Sequence, residues 1–189
     1  MRGLAELPDL AARLVTILDE RRVPYMIVGS MASSYHGEPR KARGVDFVID
    51  PSTSRLRALV RSLTSSGFSV DAKAASQALA LRTRFDVVDA SSGGKADLII
   101  RKERPFSREE FARKQPAQLP TVTAKVATAE DTIIAKLESA RTGKAERHLR
   151  DAASVLAASG DRLDFAYIER WINELGLQDL WASVGKEQA

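Results

Sequence analysis

The chain contains no cysteine. That excludes disulfides and thiolate metal sites, and it suits a reducing compartment. Long apolar runs are missing as well. The first candidate, around Leu10 to Leu18, is broken by Arg13 and flanked by Asp19, so it is not a signal-peptide core. No stretch approaches the roughly 20 apolar residues that a membrane span needs. The expectation is a cytoplasmic protein with no membrane partner. Internal repeats and low-complexity tracts are lacking too. Histidine is scarce: His36 and His148 stand far apart in sequence and suggest structural or exposed roles rather than a metal pair. There is no Walker A loop, no GxGxxG and no Ser-His-Asp pattern.

What remains is ordinary for a globular protein. The 189 residues suffice for one core or for a main domain with an appendage. The apolar share is 44% and the net charge +4. This modest excess of basic residues permits phosphate-rich partners without demanding them. It is concentrated in RKERPFSREEFARK at 101–114 and RTGKAERHLR at 141–150. Solvated helix and loop faces are the plain reading of both.

The periodicities divide the chain. Leu10, Leu14, Ile17 and Leu18 fall at helical spacing, and Pro24 closes that helix. PYMIV reads as a short buried strand, Gly29-Ser30 as a turn, and Met31 to His36 as a brief helix. The polar loop GEPRKARG leads into a strand over Val45 to Ile49. A helix follows, with Leu56, Leu59, Val60 and Leu63 on one face. Strand-like segments come next at Phe68, Leu79, Phe85 and Ala96, the last two separated by Gly93-Gly94. After TVTAKVA the pattern turns helical. The expected organisation is an α/β core over 1–127 and a helical C-terminal part over 128–189, packed on that core. Trp171 and Trp181 read as core residues of the helical part.

Two features carry chemistry. At Gly29-Ser30 a buried strand ends and a helix opens, which offers backbone N–H groups and a hydroxyl to a phosphate. Simple capping explains the same residues. Asp46 lies inside the apolar run VDFVI, where alternation puts Asp46, Val48 and Asp50 on one face. A carboxylate there is exposed, paired or bound to a cation. Asp97 repeats the pattern in ADLII. If the two strands are neighbours, the pair could hold Mg²⁺ (or Mn²⁺) together with nucleotide phosphates.

The run VGSMASSYHGEPRKARGVDFVID resembles the opening of nucleotidyltransferase-like proteins of the AbiEii type, which include toxins of toxin–antitoxin pairs. Gly29-Ser30, Pro39-Arg40 and Asp46 match their Gly-Ser turn, basic loop and D-x-D strand. KADLII is similar to their third acidic strand, which makes Asp97 the third carboxylate. AEDTIIAKL and ERHLRDAASVL resemble their following helices. The likeness runs from about Pro24 to Leu156. It implies a mixed sheet flanked by helices and a nucleoside triphosphate substrate. It also implies metal-dependent transfer of a nucleoside monophosphate to a tRNA or protein hydroxyl, with a cognate antitoxin as a partner. The implied catalytic residues are Asp46, Asp97 and Lys136, with metal on Asp46 and Asp97. The implied nucleotide contacts are Gly29, Ser30, Arg40, Arg43, Lys136 and Asp151.

Each has a bland counterpart. Lys136 can snorkel beside a core stripe. Arg147 and Asp151 can pair across one helical turn. Arg40 and Arg43 can belong to a solvated loop, and Glu130 and Asp131 can be helix-start charges. One departure is plain: the family's first Asp of D-x-D is Gly44 here, which has no oxygen for a metal. A one-metal variant site, a degenerate nucleotide- or partner-binding module, or an introduced substitution would each account for it.

Overall fold

The computed structural model describes residues 6–39 and 44–186. The described residues form two compact units, one of residues 6–28 and 44–126, the other of residues 29–39 and 127–186.

The first unit carries the sheet. Its strands are β1 (Tyr25–Val28), β2 (Val45–Ile49), β3 (Phe68–Val70), β4 (Arg84–Asp89), β5 (Lys95–Ile100), β6 (Gln115–Gln118) and β7 (Thr123–Val126). They lie in the order β3-β4-β5-β2-β1-β7-β6. The β2–β5 and β1–β7 pairs are parallel and the other four antiparallel, so the sheet is mixed. Val45, Phe47 and Ile49 of β2 are buried with Ala96, Leu98 and Ile100 of β5, while Asp46 and Asp97 between them are half-buried. The period-2 alternation thus gives the central strands one apolar face and one face that carries the carboxylates.

Four helices belong to this unit: α1 (Glu6–Glu20), α3 (Thr53–Ser65), α4 (Ala72–Leu81) and α5 (Pro105–Arg113). Leu10, Leu14, Ile17 and Leu18 form the buried stripe of α1, and Leu56, Leu59 and Leu63 that of α3. The strand expected around Leu79 is helix α4 instead. Asp71 caps it by accepting from the N–H groups of Lys73 and Ala74, at 2.8 and 3.1 Å. Ala75 and Ala78 form its buried side and Leu81 is exposed. The alternating leucines imitated a strand, but the cap and the helix-favouring alanines decide the local structure. Strand β6, which no sequence pattern announced, lies at the sheet edge and contains Pro116, where a missing N–H is tolerated.

The second unit is helical: α2 (Gly29–His36), α6 (Ala129–Ala140), α7 (Ala145–Ser159), α8 (Phe165–Leu175) and α9 (Gln178–Lys186). Although α2 follows β1 without a break, its fold partners are α6 and α7. The N–H of Glu38 donates to Ser154 Oγ at 2.8 Å, and His36 Nε2 donates to the Ala127 carbonyl at 2.7 Å. Ile133, Ile134, Leu137, Val155, Ile168, Trp171 and Ile172 make the core; Trp181 is half-buried. No helix among the described residues is long and apolar enough to cross a membrane.

Candidate active site

In the sheet unit, Asp46 and Asp97 are register partners on the parallel strands β2 and β5. Paired residues of neighbouring strands point to the same face, so the two side chains stand next to each other on strands that run about 4.8 Å apart. The row continues. Asp97 is also the register partner of Asp86 on β4, which places three carboxylates across three adjacent strands. In the sequence FDVVDA reads as a short strand-like segment, and Asp86 carries no motif of its own. Its alternation with the buried Phe85 and Val87 was the available signal.

Arg84, one step along the same face of β4, donates from Nη1 to Asp97 Oδ2 at 2.8 Å. Burial pushes the Asp97 carboxyl above its ordinary value; Arg84 lowers it, and Asp46 and Asp86 add to the rise. A crowded, partly desolvated carboxylate pair of this kind is where a hard cation would relieve repulsion. Asp46 and Asp97 therefore fit Mg²⁺, which takes one or two carboxylates and keeps waters and phosphate oxygens for the rest of its shell. Among the described residues no group of three or more His, Cys, Asp or Glu side chains is placed to hold a metal ion, so the protein's share of such a shell would be the two carboxylates alone.

Gly44 stands just before β2. A Cβ built on it would lie 2.8 Å from the carbonyl oxygen of Lys95, closer than real Cβ contacts. The backbone of β5 occupies the space that a side chain at 44 would need, so a larger residue there requires the strands to shift.

In the helical unit, Gly29 has a φ of 66° and opens α2, a left-handed start that glycine adopts without strain. Ser30 follows, and its Oγ accepts from Arg147 Nη2 at 3.3 Å. Lys136 does not snorkel. It is 5% exposed, and its Nζ donates to Asp151 Oδ2 at 2.7 Å. Arg147 and Asp151, one turn apart on α7, thus serve Ser30 and Lys136 respectively. Asp131, read as a helix-start charge, is wholly buried: it accepts from Thr128 Oγ1 at 2.8 Å and from Tyr167 Oη at 2.6 Å. Thr128 is the N-cap of α6, accepting from the Asp131 N–H. Arg40 and Arg43 lie outside the described residues.

No family model matches the chain, and no curated protein is similar to it in sequence. Solved structures are. A nucleotidyltransferase-like protein from Paracoccidioides brasiliensis superposes with a TM-score of 0.61 at 15% identity, covering 97% of this chain and 94% of its own. ANT(2")-Ia, in complex with adenylyl-2"-tobramycin, gives 0.59 at 15% identity, covering 96% and 98%. The fold is nucleotidyltransferase-like. The lincosamide antibiotic adenylyltransferase LnuA, bound to lincomycin, is similar over 76% of this chain and 92% of its own, with a TM-score of 0.53 at 9% identity. At these identities it is the fold that is shared. Within the nucleotidyltransferase-like fold of this chain, Asp46 and Asp97 stand on neighbouring strands, and Gly29-Ser30 opens the helix that follows β1.

Proposed function

We propose that the chain is a nucleotidyltransferase that moves a nucleoside monophosphate from a nucleoside triphosphate to an acceptor hydroxyl. The acceptor oxygen would form a bond to the α-phosphorus while the α–β anhydride bond breaks and pyrophosphate leaves. The observation that carries this reading is the in-register pair Asp46–Asp97 on the half-buried face of a nucleotidyltransferase-like sheet. Those two carboxylates would hold Mg²⁺ or Mn²⁺, which when bound supplies charge neutralisation on phosphate oxygens. Asp46 would also accept the acceptor's proton. Gly29 and Ser30 would bind the triphosphate, with Arg147 as the guanidinium beside Ser30. By the AbiEii-type resemblance Arg40 and Arg43 would add phosphate contacts. Lys136 and Asp151 enter as a pair, phosphate charge sharing the ammonium with the carboxylate.

The similar ANT(2")-Ia structure contains an adenylylated antibiotic, which supports adenylyl transfer to a hydroxyl as the reaction type. The AbiEii-type resemblance of the motifs supports a tRNA or protein acceptor, with the chain as a toxin beside an antitoxin. A second reading rests on Gly44, whose closed position favours a degenerate nucleotide-binding module.

The test is labelling by α-labelled nucleoside triphosphates with Mg²⁺ or Mn²⁺. The acceptors are tRNA, a protein mixture and hydroxyl-rich antibiotics, and equilibrium nucleotide binding is measured alongside. Acceptor labelling that disappears in Asp46→Asn supports transfer. Nucleotide binding without labelling of any acceptor selects the binding module. Absence of both removes the nucleotide reading.

A further inference from the structure

The arginines of the sheet unit differ in how firmly they are held. Arg101, with a side chain only 13% exposed, donates to Asp50 and to Glu103, and Arg82 joins the same two carboxylates. Arg13 is braced between Asp89, the Ser66 carbonyl and the Phe68 ring. Arg84 has no such setting. Its side chain is 65% exposed, and among the described residues its partner is the Asp97 carboxylate.

The register explains why Arg84 reaches Asp97. Arg84 is opposite Ile99 on β5, and Asp86 is opposite Asp97, so the arginine stem runs diagonally by two residues to put its guanidinium on Asp97 Oδ2. A diagonal pair is within reach of a long side chain. An ion pair whose cation is this exposed is weak, since the Arg84 guanidinium stays well solvated and its stem loses rotamer freedom. It is therefore easily exchanged for a stronger cation.

We propose that Arg84 is a built-in counter-cation of Asp97 that competes with a divalent cation for the Asp46–Asp97 pair, and so sets how tightly that pair binds metal. This rests on the reading of Asp46 and Asp97 as metal ligands. Arg84 covers one of the two oxygens of Asp97 and neutralises part of the charge of the three-carboxylate row. A divalent cation on Asp97 has to displace the guanidinium or accept a weakened ligand. Either way the metal binds less tightly than bare carboxylates would allow. Arg84 is a positioning residue, acting through Asp97.

Mn²⁺ alone is the probe, titrated into wild type, Arg84→Gln, Arg84→Lys and the double variant Arg84→Gln/Asp97→Asn. Calorimetry and Mn²⁺ spectroscopy report binding without turnover. Arg84→Gln should bind Mn²⁺ about two- to fivefold more tightly, the equivalent of an exposed ion pair. Arg84→Lys keeps the charge and should stay near wild type. The double variant should lose the gain. Wild type that binds Mn²⁺ with Arg84→Gln equal or weaker overturns the competition and leaves the metal site standing. Tight binding in Arg84→Gln alone upholds the competition in its strongest form. Absence of Mn²⁺ binding in both proteins overturns the metal site and the competition together.

Discussion

Gly44 and the carbonyl oxygen of Lys95 approach so closely that a Cβ on residue 44 would sit 2.8 Å from that oxygen. The two strands that carry Asp46 and Asp97 are therefore in backbone contact just where the family pattern would place a further carboxylate. From sequence alone, Gly44→Asp is a natural way to restore metal ligation. The geometry argues otherwise: the new side chain would push β2 away from β5 and disturb the Asp46–Asp97 register.

Gly44→Ala and Gly44→Asp should both be less stable than wild type, by about 1–3 kcal/mol, the usual cost of overpacking. Mn²⁺ affinity of Gly44→Asp should not improve. Thermal melts and calorimetric titration measure both. A Gly44→Asp protein that melts like wild type and binds metal more tightly would show that the strand start yields easily.

Lys136 and Asp151 form a buried pair, so each supports the other's charge. Lys136→Met or Asp151→Leu alone leaves an uncompensated buried charge and should cost about 3–5 kcal/mol. The double variant should recover most of that loss, because two apolar side chains need no partner. Denaturant unfolding of the four proteins closes the cycle. Nucleotide titration of the double variant separates the roles. Folding intact with nucleotide binding lost places Lys136 on the phosphates; binding at wild-type strength makes the pair purely structural.

His36 is held by the 2.7 Å bond from its Nε2 to the Ala127 carbonyl. Burial lowers its pKa from the ordinary 6.5; the bond to Ala127 and the charge of Glu130 act against that shift, and the net change is downward. Above the ordinary value the ring is neutral in folded and unfolded chains alike. As pH falls, the unfolded chain takes up the proton first, so stability is lost between the ordinary value and the lower folded one. Melting temperature should fall as pH drops through the ordinary value of 6.5 and below it. His36→Gln, which keeps a donor for the carbonyl without titrating, should have a shallower slope over that window. An identical slope in the two proteins would assign the pH dependence to other groups.

Much of this molecule is legible in residue order because period and punctuation are local properties. The stripe of Leu10, Leu14, Ile17 and Leu18 encodes α1, and the alternation around Asp46 and Asp97 tells which way each carboxylate points relative to the apolar face. Where two local signals compete, the reading fails. The alternating leucines of α4 look like a strand, and the helix is decided by the Asp71 cap and by Ala75 and Ala78. Strand β6 shows no alternation strong enough to announce it, and its pairing with β7 creates it.

What residue order could not decide is which elements meet and in what register. Periodicity says that Asp46 and Asp97 each lie on the polar side of a strand. Only the pairing of β2 with β5 brings residues about fifty apart in sequence into one row and adds Asp86 from β4. Lys136 is readable as a lysine beside a core stripe, yet its burial depends on Asp151 arriving from α7. Likewise α2 sits between two strands in sequence, but the bond from His36 and that from the Glu38 N–H just past its end join it to the helical unit. Local backbone preference and side-chain pattern act over a turn or a few strand residues, and that much the sequence determined by itself. Register, ion-pair partner and the closed space at Gly44 are set by contacts between distant segments, which exist only once burial and hydrogen bonding have chosen one packing of the whole chain.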